Sequence, residues 1–104
     1  MDQKQYKTAF KQELDAMLDL TSRKNADYAG LEDAFRNFRI VDHIGLCSVE
    51  QGIVVRMTDK LGRISNLLKA DAQVKDEAIT DTLRDLAVYS LILKIYLQNK
   101  QRST

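Results

Sequence analysis

From Asp76 to Asn99 the chain reads DEAITDTLRDLAVYSLILKIYLQN. No proline or glycine interrupts these residues, so nothing in them stops a helix. Leu86, Val88, Tyr89, Leu91, Ile92, Leu93, Ile95, Tyr96 and Leu97 spread around most of a helical circumference. A helix that is apolar on so many sides must be covered on many sides. Asp76 and Glu77 suit the positive end of its dipole, and Lys94, Lys100 and Arg102 suit the other end. The stretch predicts a long helix that is too apolar for a small chain to cover alone. It therefore points to a homo-oligomer in which these helices pack across a symmetry axis.

Upstream, Ser48 with Gln51 fits a capping box, which opens a second long helix. Its stripe is Ile53, Met57, Leu61, Ile64 and Leu68, and it is expected to end near Ala70, with Ala72–Lys75 as a short link. Leu31–Ile40 reads as a short helix with Leu31, Phe35 and Phe38 turned inward. Val41–Cys47 reads as a connector through Gly45. About Gln3 to Thr21 reads as an amphipathic helix with Tyr6, Phe10, Leu14, Met17 and Thr21 on one side, widened by Leu18. Ser22–Gly30 breaks that period, and its Asn, Asp and Gly residues read as a loop. The expected fold is all-α: one domain over residues 1–104, a compact helical bundle with two long C-terminal helices, assembled as an oligomer.

Composition narrows the function classes. The chain has 104 residues, 44% hydrophobic and 30% charged, which is globular in character. A formal net charge of +1 gives no global field toward nucleic acid or an acidic membrane, so neither is an expected partner. The opening residues Met1–Gln5 do not read as a basic–apolar leader, and no apolar run approaches the ~20 residues of a bilayer span. The single cysteine, Cys47, cannot close an internal disulfide and fits a reducing cytoplasm. His43, the only histidine, has no neighbour at metal-ligand spacing.

The residues that can carry chemistry cluster on the last two helices. Glu77, Asp81 and Asp85 recur every four residues and form a column inside the apolar arc, in line with Tyr89, Ile92 and Tyr96. Carboxylates in such an arc are expected to be buried, and buried carboxylates need a cation, a metal or several donors. Arg56, Lys60 and Arg63 border the stripe of the preceding helix, with Asp59 beside them. Two readings follow: an internal ion-pair network, or a ligand site with carboxylates for Mg²⁺ and basic groups for phosphate. Arg23, Lys24, Asn25, Asp27 and Tyr28 form a polar segment whose residue types suit phosphate and base contacts. They equally suit a solvated turn with Tyr28 lying over the core.

Three stretches together carry a resemblance. They follow the patterns K-N-x-D-Y (Lys24–Tyr28), R-M-x-D-K-x-x-R-x-x-N-L (Arg56–Leu67) and E-x-x-x-D-T-L-x-D-L-A-x-Y (Glu77–Tyr89). The chain from Arg23 to about Ile92 resembles the phage-associated nucleotide modification associated domain family. That family is similar in turn to the all-α nucleoside triphosphate pyrophosphohydrolases of MazG and dimeric dUTPase type. The resemblance implies a MazG-like fold in the cytoplasm, that of the bacterial host if the chain is phage-encoded. It also implies a nucleotide held by Lys24, Asn25, Asp27, Tyr28, Arg56, Lys60 and Arg63, and Mg²⁺ held by Asp59, Glu77, Asp81 and Asp85. Where the hydrolases carry a cluster of glutamates, this chain has Asp59–Lys60–Leu61–Gly62–Arg63, and its second acidic motif has i, i+4 in place of i, i+3 spacing. These departures favour nucleotide binding over cleavage. Three functions are carried forward: a Mg²⁺-dependent pyrophosphohydrolase, a non-catalytic sponge that sequesters a nucleotide signal of bacterial anti-phage defence, and a structural oligomer whose charges fix helix register.

Overall fold

The computed structural model describes residues 1–28 and 33–103, with side chains described except at 24–28, 72–77 and 102–103. Every regular element among them is a helix: α1 Gln3–Tyr28, α2 Arg36–His43, α3 Val49–Leu67 and α4 Ala72–Ser103. The chain divides into two units, Met1–Asn37 and Phe38–Thr104.

In the first unit α1 starts at a capping box. The amide of Gln5 donates to Asp2 Oδ1 at 2.8 Å, and the amide of Asp2 donates to Gln5 Oε1 at 2.9 Å. The same residue pattern that flags Ser48 is therefore present here as well. The helix does not stop at Thr21. It runs on to Tyr28, through the residues expected to form a loop. Ser, Asn and Asp lower helix propensity only by tenths of a kcal/mol each (about 0.5), and Arg23 pairs with Asp19 one turn back. The stripe also departs from expectation. Met17 is buried, but Tyr6, Phe10, Leu14 and Leu18 are 43–65% exposed. Tyr6 and Phe10 cover one another in part, their ring centroids 5.8 Å apart. Leu31 and Gly30 lie outside the described residues. Asp33 turns the chain into α2, its carboxylate accepting from the amide of Phe35 at 3.0 Å.

The second unit holds most of α2, then α3 and α4. α2 is placed later than expected, from Arg36 to His43, and Phe35 and Phe38 are half-buried. It ends on Gly45 at φ +78°, the one left-handed residue among those described. That conformation lets the amides of Leu46 and Cys47 both return to the carbonyl of Val41, at 3.0 and 3.3 Å. Ser48 then caps α3 with the expected box: the Gln51 amide reaches Ser48 Oγ at 3.1 Å, and Gln51 Oε1 accepts from the Ser48 amide at 3.0 Å. Gly52 lies against the side chain of Val41 on α2. A Cβ on it would lie 2.8 Å from Val41 Cγ2, so a larger residue there requires the Val41 side chain to shift.

α3 buries Val49 and Ile53, leaves Met57 and Ile64 half-buried, and exposes Leu61 and Leu68. It ends at Leu67, where amides of residues 68–70 close the last turn. The link expected at Ala72–Lys75 is already helical, so α4 reaches 32 residues and Asp76 and Glu77 lie a full turn inside it. α4 packs antiparallel on α3 and buries Thr82, whose hydroxyl is satisfied by the Ala78 carbonyl at 2.7 Å. Near the open end of the pair, Lys100 reaches Glu50 at 2.9 Å. Among the described residues no helix is long and apolar enough to cross a membrane.

Candidate functional site

The charged residues of interest meet along one side of the α3–α4 pair. Arg56 is exposed and lies over two rings, its guanidinium carbon 5.2 Å from the centroid of Phe38 on α2 and 5.9 Å from that of Tyr89 on α4. One turn along α3, Lys60 Nζ stands 3.8 Å from Asp85 Oδ2, with side chains 21% and 34% exposed. Four residues forward on α3 match four residues back on α4, so both contacts belong to one antiparallel register. Farther along, Arg39 of α2 lies over the Tyr96 ring at 5.9 Å. The two tyrosines are seven residues apart, and each receives an arginine.

The energetics are modest and additive in kind. A cation–π contact at a partly exposed site contributes about 0.5–1 kcal/mol. A half-exposed ion pair at 3.8 Å contributes about 1 kcal/mol or less. What the arrangement supplies is placement. The Arg56 cation lies over both rings, near enough for the negative ring faces to attract it. Among the described residues no carboxylate pairs with Arg56.

Not every expected site residue joins this cluster. Arg63, Asp59 and Asp81 are exposed. The burial expected for the acidic column therefore holds in part for Asp85 and fails for Asp81. The reason is angular: Asp81 is one residue before the buried Thr82, which turns it about 100° away from the α3 contact. Lys24, Asn25, Asp27, Tyr28 and Glu77 have helical backbone, and their side chains lie outside the described residues.

A divalent cation needs several oxygens converging on one point. Among the described residues no three His, Cys, Asp or Glu side chains do so. Asp85 faces an ammonium and Asp59 and Asp81 face solvent, so the described carboxylates do not by themselves fit Mg²⁺. Sequence reading treated Phe38 as core and passed over Arg39. The signal that finds both is the Phe38–Arg39 pair beside a helix carrying Tyr89 and Tyr96 at heptad spacing.

His43 closes α2 and is exposed. Cys47 is a free thiol beside Gly52, with Sγ 3.8 Å from the position a Cβ there would take. Neither joins the cluster. No family model, no curated protein and no solved structure matches this chain.

Proposed function

We propose that the protein binds a nucleotide or a related polyphosphate, linear or cyclic, on the charged side of the α3–α4 pair. The placement of Arg56 over the Phe38 and Tyr89 rings carries this reading. A guanidinium held over two rings, with no carboxylate partner among the described residues, has N–H donors to offer phosphate oxygens. Lys60 follows one turn on, and an ammonium with three donors gives at most part of its capacity to Asp85. Arg63 extends the row toward solvent. In this reading Lys24, Asn25, Asp27 and Tyr28 serve phosphate and base, as the resemblance implies. The chain is then a relative of the nucleotide modification associated domain family, MazG-like in type. It acts as a homo-oligomer in a bacterial cytoplasm during phage infection.

Binding takes two forms, cleavage to a monophosphate with Mg²⁺ or sequestration without cleavage. The Lys60–Asp85 pair favours sequestration, because a carboxylate that already faces an ammonium is a poorer metal ligand. Incubation of the purified protein with a panel of linear and cyclic nucleotides, with and without Mg²⁺, separates the two. A cleaved product supports the hydrolase, and tight recovery of unchanged ligand supports the sponge. Neither result with any ligand removes the nucleotide reading and leaves the charges as determinants of helix register. Arg56→Ala and Lys60→Ala are each expected to weaken binding about tenfold or more in a calorimetric titration. Unchanged affinity in both would move the site elsewhere.

A further inference from the structure

We propose that the site has a second phosphate position at Arg39 and Tyr96, so that its ligand is a nucleoside carrying phosphate on both sides of the sugar. The inference rests on the nucleotide reading above and narrows its ligand class.

α4 fixes the spacing. Tyr89 and Tyr96 are seven residues apart, which is two turns less about 20°, so they share one side of the helix about 10.5 Å apart along its axis. Each ring lies under an arginine cation at 5.9 Å, Arg56 of α3 over Tyr89 and Arg39 of α2 over Tyr96. α2 serves both positions, because Phe38, the neighbour of Arg39, lies under Arg56 at 5.2 Å.

The cations are unevenly spaced. Lys60 faces Asp85, four residues before Tyr89, so along α4 it stands about 6 Å from the Arg56 position. Arg39 lies about 10.5 Å farther in the other direction. Between the two rings, on the same side of α4, is Ile92, half-buried and uncharged. Two cations close together, an apolar gap and a third cation match phosphate, sugar and phosphate in that order. A sugar presents C–H groups to an apolar side chain, and phosphates on its 5′ and 3′ oxygens extend past it in opposite directions.

Length decides the ligand class. Successive phosphates of a 5′-triphosphate share a bridging oxygen, so the whole chain is shorter than two helical turns and fills only the Lys60–Arg56 end. A phosphate on the far side of the sugar adds the length of the sugar and reaches Arg39. Nucleosides phosphorylated at both ends share this chemistry with linear and cyclic dinucleotides. A guanidinium has five N–H donors, so Arg39 can keep its place over Tyr96 and still donate to a phosphate oxygen. Of the carboxylates near that end, Glu50 is held by Lys100 at 2.9 Å and Asp42 is exposed.

Calorimetric titration without Mg²⁺ compares nucleoside 5′-diphosphates with nucleoside 3′,5′-bisphosphates of the common bases. Both carry two phosphates and differ in where the second is attached. The bisphosphate should bind about tenfold tighter or more, the effect of one further charge-assisted contact, and Arg39→Gln should remove that preference. Equal affinity, tighter binding of the diphosphate, or a preference that survives in Arg39→Gln would overturn the second position and leave the nucleotide reading standing. A purely structural arginine would give the last of these, because its loss weakens both ligands alike. If neither ligand binds while another nucleotide does, the inference falls alone. If no nucleotide binds at all, the reading above falls with it. If Arg39→Gln loses its helical circular dichroism, Arg39→Lys replaces it. The preference should then shrink severalfold as an ammonium takes the place of the planar fork, and an unchanged preference would overturn the proposal. A linear and a cyclic dinucleotide titrated beside the bisphosphate distinguish the sources. Tighter binding of either identifies a strand or a ring, and weaker binding of both identifies a free nucleoside bisphosphate.

Discussion

α1 and α3 look alike in sequence and differ in the folded chain. Both begin at a capping box, Asp2 with Gln5 and Ser48 with Gln51. Both carry apolar residues at spacings of three and four. Yet α3 buries Val49 and Ile53, while on the α1 stripe only Met17 is buried. Periodicity reports that a helix has an apolar side. It does not report what covers that side, and burial rather than pattern stabilises a helix in water.

The largest expected effect tests that difference directly. Ile53→Ala removes a fully buried side chain and is expected to destabilise the protein by about 2–5 kcal/mol in a denaturant titration. Leu14→Ala, at the corresponding kind of stripe position on α1, should cost about 0.5 kcal/mol or less. Equal losses would mean that α1 is covered as well as α3 and would erase the comparison.

Next in size are the glycines of α3. Gly52→Ala forces a methyl group into Val41 and should destabilise by about 1–3 kcal/mol despite the better helix propensity of alanine. Gly62 meets nothing within 4 Å, so Gly62→Ala should stabilise by about 0.5–1 kcal/mol. The same substitution in the same helix is thus expected to change sign over ten residues, and thermal melts of the pair would check it.

The caps come third. Ser48→Ala should cost about 1 kcal/mol of global stability. Asp2→Ala should fray the start of α1, visible as faster amide exchange there, with little change in the cooperative melt.

The smallest effect concerns the tie between the first turn of α3 and the end of α4. The hydrogen bond from Lys100 holds the Glu50 carboxyl below its ordinary range, and the same contact raises the Lys100 ammonium above its own. A lowered carboxylate stabilises the fold above its unfolded pKa and loses that contribution as pH falls through the lowered value. A raised ammonium stabilises below its unfolded pKa and loses its contribution as pH rises through the raised value. The difference in Tm between wild type and Lys100→Ala should therefore be greatest near neutral pH and shrink toward both extremes. A difference that is flat across acid pH would show that the contact does not form in solution.

Much of the helix count was legible because its signals are local. The Ser48–Gln51 box, Gly45 as a stop and the stripe through Ile53 each name a boundary or a side by chemistry alone. The end of α1 was not legible. Residues 22–28 are weak helix formers, and weak propensity does not terminate a helix. The start of α4 was missed for a related reason, since the acidic pair Asp76–Glu77 suggested a first turn that lies farther back. At the candidate site, the facing of Lys60 and Asp85 was readable from spacing. The exposure of Asp81 was not, because it depends on which of two adjacent residues turns toward α3. Arg39 was missed because its partner Tyr96 is far away in sequence, and only the path of α2 brings them together.

The shared register of Arg56 with Tyr89 and Lys60 with Asp85 has a consequence for length variation in this chain. One residue inserted or deleted within either helix between these contacts would displace everything beyond it by about 1.5 Å and about 100°. The outer contact would be lost while the inner one survived. The segment 68–71 is different, because it joins the helices outside both contacts. Added residues there can loop out and leave the paired rungs where they are. Natural length changes are therefore expected to collect in that short joint, and a peptide tag spliced into it is the insertion this hairpin should tolerate best.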